Sequence, residues 1–203
     1  MKKIYVPFTI AIFLLLNFVV SYSQSACDSC SISPCNPANI SPDIPPFPGG
    51  WTCEPLTEIT VTMPDGIICK ACVAFCWRQP YLTSPRYQLY LCSFCISNSC
   101  QSPAFWALTW TEKEKIIAES IITNNPGNIF TYIPDCPINN TEVEVFWSRC
   151  WDGINTCAGS NSWCQKVYSI CMSNGVIIHT FLYAQSSPGI NCAPPCTNID
   201  PCY

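Results

Sequence analysis

Two Cys-x-x-Cys pairs form the pattern in this sequence that is closest to a chemical site. They are Cys69 with Cys72 and Cys92 with Cys95, and 19 residues separate the two pairs. This spacing is typical of a zinc ribbon, in which four thiolates hold one metal ion. Residues three apart on a strand point to opposite faces, however, and a further cysteine follows each pair. We therefore expect disulfides at these positions and keep a metal site as the alternative.

Catalytic residues are scarce. His179 is the single histidine, so a Ser–His or Cys–His pair would have to use it. No Cys-x-x-Cys-His run for haem is present, and the βαβ pattern of thioredoxin-like redox proteins is missing. Paired acids for glycoside cleavage would come from Glu58, Glu142, Glu144 or Asp152, but an alternating strand carries such acids on its ordinary solvent face. We predict a protein that is not an enzyme and that has no cofactor.

Tryptophan is the more suggestive residue type. Seven tryptophans are present, and Trp151 and Trp163 flank a polar loop rich in Gly, Ser and Asn. Exposed tryptophan stacks on sugar rings or anchors protein partners. Trp151 and Trp163 are therefore the candidate ligand-binding residues, and the alternative is that both rings fill a core.

The composition excludes several classes of protein. Of 203 residues, 49% are hydrophobic and 11% are charged, a balance that disordered chains do not have. The net charge is −4, so the basic surface of a nucleic-acid-binding protein is missing.

The first 23 residues predict a secretory signal peptide. Lys2 and Lys3 precede an apolar run over residues 4–20, and Ser21 and Ser23 fit a small-x-small cleavage site. The alternative, a membrane anchor, needs roughly 20 apolar residues, more than this run supplies. Removal of this leader leaves seven basic and 13 acidic residues. We expect a secreted or periplasmic, mildly acidic protein with no membrane span in its mature part.

Every cysteine lies beyond the predicted cleavage site. An even number in an oxidising compartment predicts a disulfide framework. Three cysteines lie in a Cys/Pro-rich N-terminal segment, 24–50, and three in a similar C-terminal segment, 186–203. Each tail either joins the body or the other tail, or closes on itself, and the sequence leaves these alternatives open, together with the oligomeric state. The 18 predicted disulfide cysteines are Cys27, Cys30, Cys35, Cys53, Cys69, Cys72, Cys76, Cys92, Cys95, Cys100, Cys136, Cys150, Cys157, Cys164, Cys171, Cys192, Cys196 and Cys202.

The body, residues 51–185, predicts an α+β fold dominated by β-structure. Period-2 alternation and turn residues indicate two small antiparallel meanders around one amphipathic helix. The helix is expected near 111–123, with a capping box of Thr111 and Glu114 and an apolar stripe through Ile117 and Ile121. The predicted strands cover 59–63, 67–77 and 86–95 in the first meander and 141–147, 163–171 and 176–183 in the second.

These features together predict a secreted, disulfide-rich structural or interaction protein of the cell exterior. The expected partner is an extracellular protein or a glycan, and no nucleic acid. A carbohydrate-binding or adhesion module that uses exposed tryptophans is the alternative, and a metal-binding or redox protein is the third hypothesis.

Overall fold

The computed structural model describes residues 25–40, 44, 50–79, 86–137, 139–151, 162–187, 192 and 197–198, and for residues 39, 151, 197 and 198 it describes the backbone alone. The predicted signal peptide lies outside these residues. So do Asp152, Cys157, Cys196 and Cys202.

Most of the described chain belongs to one mixed β-sheet. Seven strands form this sheet, and their order is β1–β3–β4–β5–β7–β8, with β2 also paired to β3. A second, two-stranded sheet joins β6 to β9. The strands are β1 Thr52–Cys53, β2 Thr57–Thr62, β3 Ile68–Arg78, β4 Arg86–Ile96, β5 Thr141–Ser148, β6 Cys150–Trp151, β7 Trp163–Ser173, β8 Val176–Ser186 and β9 Thr197–Asn198.

A parallel seam joins the two halves of the sheet. Strands β2, β3 and β4 pair antiparallel with one another, and so do β5, β7 and β8. Strand β4 pairs with β5 in parallel, from Arg86 opposite Glu142 to Leu91 opposite Trp147. The prediction of a β-dominated fold with one main helix is confirmed, but the structure shows one continuous sheet where two separate meanders were expected. The parallel connection was missed because it pairs strands that lie far apart in the sequence.

Two hairpin turns follow from local sequence. Gly66, in the Pro64-Asp65-Gly66 turn, has a φ of 79°, and Asn174 and Gly175 have φ values of 51° and 76°. Two successive left-handed residues favour the tight turn that joins β7 to β8, and Asn-Gly is the pair that tolerates it best.

Two helices lie between β4 and β5: a short helix α1, Pro103–Trp106, and the main helix α2, Trp110–Asn124. The capping box lies two residues before the predicted pair of Thr111 and Glu114. Thr109 and Glu112 form it, because the Thr109 side chain accepts from the Glu112 backbone N–H and the Glu112 carboxylate accepts from the Thr109 backbone N–H. Glu114, predicted to cap the helix, is instead fully buried.

Helix α2 packs its apolar stripe against one face of the sheet. Ile117, Ala118, Ile121 and Ile122 are buried there among side chains of β2 to β5 and β7. The helix contacts both β2 and β8, which lie towards opposite edges of the sheet, so the sheet curves around it. This face carries the largest hydrophobic cluster of the described residues.

The N-terminal segment lies against the other face of the sheet. Ala26 and Ile32 are buried against Cys72, and Ile40 and Ile44 are buried in a cluster with Tyr90. Three disulfides and these four apolar side chains attach the proline-rich segment to the sheet.

Disulfides connect both tails to the body. The described pairs are Cys27–Cys72, Cys30–Cys95, Cys35–Cys92, Cys53–Cys76, Cys69–Cys100, Cys136–Cys171 and Cys150–Cys192. Cys164 is disulfide-bonded as well. Of the alternatives for the tails, attachment to the body is the one seen, in three N-terminal bonds and in the bond of Cys192. Each of the seven described pairs lies wholly within residues 27–100 or wholly within residues 136–192.

Candidate interaction surface

The four cysteines with zinc-ribbon spacing do not converge on one point. Cys69 bonds to Cys100 and belongs to the cluster under α2, whereas Cys72 bonds to Cys27 on the opposite face. Cys92 and Cys95 bond to Cys35 and Cys30. A sulfur in a disulfide is no thiolate ligand, so the metal alternative at these four positions is not supported.

A second group of sulfurs lies close together without offering thiolates. The Sγ atoms of Cys35, Cys76 and Cys92 all lie within 4.8 Å of one another. They belong to the bonds Cys35–Cys92 and Cys53–Cys76, so this group is the contact of two disulfides. The two disulfides hold the N-terminal segment beside the end of β1.

The tryptophan predicted for ligand stacking is in the interior. Trp163 is only 7% exposed, and its ring packs edge-on against Phe146 with centroids 5.6 Å apart. A sugar ring has no access to a face buried in this way. The side chain of Trp151 and the loop after it lie outside the described residues. Trp106, which the sequence did not distinguish, is more than half exposed.

The strand acids are engaged in structural contacts. Glu142 and Glu144 both contact Arg86, at 2.9 Å and 3.4 Å, and Glu144 also accepts a 2.6 Å hydrogen bond from the buried amide of Gln88. The guanidinium Nε of Arg78 donates to the same Gln88 side chain at 2.6 Å. The contacts of Glu142 and Glu144 with Arg86 and Gln88 cross the parallel seam of β4 and β5, so these acids hold the two strands together. Glu58 accepts from the backbone N–H of Ala26 at 2.6 Å and fixes the N-terminal segment.

Strand β8 forms an open edge of the sheet. Along its whole length it pairs with β7, and it pairs with no other strand among the described residues. Five of its large apolar side chains are 45–53% exposed, namely Val176, Ile178, Phe181, Leu182 and Tyr183. No Asp, Glu, Lys or Arg occurs from residue 176 to residue 187. Long, apolar edges without charges or proline are what soluble proteins ordinarily avoid, because another strand pairs with them readily.

The sequence predicted this strand but not its position. Its strongly apolar pattern is that of a central strand, and the hairpin from Asn174 reverses the chain so that β8 is the last strand of the sheet. A register shift between Val167 and Tyr168 leaves Leu182 without an opposite residue, so apolar side chains project from both faces of the edge.

His179 lies on the helix side of the same strand. Its ring approaches that of Tyr168 with centroids 6.0 Å apart, edge to face. It lines a shallow hollow with Glu119, Asn124 and residues of β2. The hydroxyl of Ser120, which also lines the hollow, donates to the backbone carbonyl of Ile116 at 2.8 Å and not to His179.

A larger cavity opens between β8 and the start of α2. Its volume is about 640 Å³, and Thr109, Thr111, Glu112, Lys115, Lys166, Phe181 and Ala184 line it. Lys166 of β7 is only 6% exposed, and its Nζ lies 5.5 Å from the ring centroid of Trp147. Burial and the charge of Lys115 lower the pKa of the Lys166 ammonium, and the neighbouring glutamates of α2 oppose this shift.

Glu114 of α2 is fully buried, and its charge acts on the Lys166 ammonium. Neither carboxyl oxygen has a hydrogen-bond partner among the described residues. Burial raises the pKa of this carboxyl well above its ordinary value, and the charge of Lys166 opposes the rise only in part. The neutral acid is the form that burial favours.

Comparisons of this chain with protein families, curated proteins and solved structures found no match. Within the described residues, no helix combines the length and the apolar character needed to cross a membrane.

Proposed function

We propose that this chain is an exported, non-enzymatic interaction protein of the cell exterior, which associates through its open edge strand β8. The observation that carries the proposal is the run of half-exposed apolar side chains on an edge strand without a charged residue. Strand addition to such an edge supplies main-chain hydrogen bonds, and the alternating side chains supply specificity.

The distribution of disulfides supports this assignment. Seven pairs within the described residues fit a protein of an oxidising compartment. Five of them cross-link the half of the sheet farthest from β8, together with the segment that covers it. The protein therefore presents a cross-linked scaffold with an open apolar edge at β8, which is the architecture of a binding module.

The partner that the edge favours is a second copy of β8. Antiparallel pairing about a two-fold axis places each strand opposite itself, and an uncharged strand meets no like charge in that arrangement. The five apolar side chains expose on the order of 100 Å² each, by comparison with the 150–250 Å² of a whole aromatic side chain. Pairing would bury at most about 1,000 Å² over both copies, which is the lower limit of a specific interface.

Sedimentation velocity over a concentration series tests the proposal. We expect the protein without its leader to associate reversibly, and Ile178→Lys to weaken association by tenfold or more, because the lysine puts a charge on an uncharged edge that the second copy must cover. Thr52→Lys, on exposed strand β1 at the opposite side of the sheet, is the matched control and should associate like the unmodified protein.

Two outcomes would overturn the proposal. One is a protein that stays monomeric at the highest concentration reached. The other is an equal loss of association in Ile178→Lys and Thr52→Lys, which would place the contact elsewhere or make it a general effect of charge. Circular dichroism of both variants checks that the sheet is retained.

A further inference from the structure

The ammonium of buried Lys166 has no hydrogen bond or salt bridge within the described residues, and the glutamates of α2 act on it only from a distance. Its Nζ lies 5.5 Å from the ring centroid of Trp147. A charge nine-tenths buried is costly unless something pairs with it. Because Lys166 lines the 640 Å³ cavity, that cavity is where an anion would reach it.

A second cation lies at the same cavity. Lys115 projects from α2, and its charge is close enough to lower the pKa of the Lys166 ammonium. Its own acidic neighbour, Glu119, is 3.9 Å away at the limit of an ion pair. Two ammonium groups therefore line one cavity.

Glu112 is the one acid among the residues that line the cavity. Its carboxylate accepts hydrogen bonds from the backbone N–H and the hydroxyl of Thr109, at 2.8 Å and 2.7 Å, and these bonds lower its pKa, so it stays charged. Burial favours the neutral form of the Glu114 carboxyl. The two lysines outnumber the one charged acid, so the lining keeps a net positive charge.

The remaining wall is apolar. Phe181 and Ala184 of β8 line it, and Phe181 is 45% exposed. Pockets of roughly 300–1,000 Å³ with an apolar wall and a few convergent polar groups are typical of small-molecule sites. The combination selects a ligand with an anionic head and a hydrocarbon body.

We propose that the cavity between α2 and β8 binds an amphipathic organic acid, whose carboxylate pairs with Lys166 and Lys115 and whose hydrocarbon chain lies on Phe181 and Ala184. The site shares Phe181 with the edge proposed for association, but its polar end belongs to α2 and β7, so the two proposals are tested at different residues. It adds a small-molecule ligand to a protein that otherwise offers only a contact surface.

Calorimetric titration with decanoate tests this inference, with tryptophan fluorescence as the second readout because Lys166 covers Trp147. We expect saturable binding of decanoate and at least tenfold weaker binding of decanol and of decyltrimethylammonium, which share the chain and lack the negative charge. Lys166→Met should weaken decanoate binding by tenfold or more. Lys70→Met, which removes an exposed lysine paired with Glu58, is the matched control and should bind normally.

Any of three results would overturn the inference. Decanol could bind as tightly as decanoate, Lys166→Met and Lys70→Met could bind decanoate equally well, or decanoate could show no saturable binding. If Lys166→Met fails to fold, Lys115→Glu replaces it in the experiment. Lys115 is exposed, and the reversal of its charge should also weaken decanoate binding tenfold. Titrating Ile178→Lys separates the two proposals. Decanoate should still bind to it, whatever the outcome of the sedimentation experiment.

Discussion

Cys72 and Cys95 lie directly opposite each other on β3 and β4, yet they are not bonded to each other. Cys72 bonds to Cys27 and Cys95 bonds to Cys30, with Cα–Cα distances of 4.8 Å and 5.9 Å. Two neighbouring strands thus hold one short segment at two adjacent points. Cysteines with the spacing of metal ligands therefore attach the N-terminal segment to the sheet.

The first prediction concerns this connectivity. Digestion without reductant, followed by mass spectrometry, should yield peptides linked through Cys27–Cys72 and Cys30–Cys95. A direct Cys72–Cys95 link in the purified, exported protein would contradict the structure. Alkylation before and after reduction provides the control, because no cysteine of the described residues is free to react before reduction.

The second prediction concerns the stability that the N-terminal segment provides. Replacing Cys27 and Cys72 together by serine should lower the free energy of unfolding by about 2–4 kcal/mol, the usual effect of removing a native disulfide. It should also expose the apolar contact of Ala26 and Ile32, so that a dye for exposed apolar surface binds. Urea unfolding and dye fluorescence measure the two effects.

The double replacement of Cys136 and Cys171 is the matched control for that experiment. It opens a loop of similar size in the other half of the chain, 35 residues against 45, so it should lower stability by a similar amount. It does not touch the N-terminal segment and should leave dye binding unchanged. Equal dye binding by both variants would show that the segment does not cover an apolar face.

The third prediction concerns Glu114 and pH. Burial raises the pKa of its carboxyl above the ordinary 4.5, so the folded protein keeps a proton that the unfolded chain has already lost. The free energy of unfolding should therefore fall as pH rises above about 4.5, with a slope of at most about 1.4 kcal/mol per pH unit from this group. Glu114→Gln should remove that slope and be more stable at neutral pH by about 1 kcal/mol or more.

Chemical denaturation from pH 4 to pH 8 measures this effect. Glu119→Gln, on the same helix but partly exposed, is the control and should keep the slope. A slope shared by the unmodified protein and Glu114→Gln would show that Glu114 is not the group responsible.

The fourth prediction concerns the hairpin before β8. Gly175 has a φ of 76°, and a Cβ at this position would meet no atom within 4 Å. Gly175→Ala should therefore lower stability by about 1–2 kcal/mol through backbone conformation alone. Gly50 also has open space around it and needs no left-handed backbone, so Gly50→Ala should change stability by less than about 0.5 kcal/mol. Thermal unfolding of the two variants compares these effects directly.

Local patterns predicted the parts of the fold that local forces decide. Alternation gave the strands, Asn174-Gly175 gave the hairpin, and the apolar stripe of Ile117 and Ile121 gave the helix face. The cap shifted by two residues because Thr109 and Thr111 both offer a hydroxyl followed three residues later by a glutamate. Packing decides between them, since Glu114 is turned into the core.

Long-range relationships could not be predicted in this way. Nothing near β4 or β5 in the sequence specifies that they pair in parallel, and nothing near Trp163 says that Phe146 covers its ring. Lys166 was overlooked for the same reason. Lys166 is a candidate binding residue because of the cavity and Lys115 beside it, and the packing of α2 forms that cavity.

The partition of the disulfides has a consequence for the covalent structure of the chain. No described disulfide connects residues 27–100 with residues 136–192. The described disulfides therefore form two cross-linked blocks, and the chain segment that carries α2 connects them. Within the described residues the two blocks meet through non-covalent contacts, among them the seam of β4 with β5, the packing of α2 and the cluster of Tyr90 with Phe146. A single peptide-bond cleavage between residues 101 and 135 would leave the described disulfides intact and yet let denaturant separate the blocks.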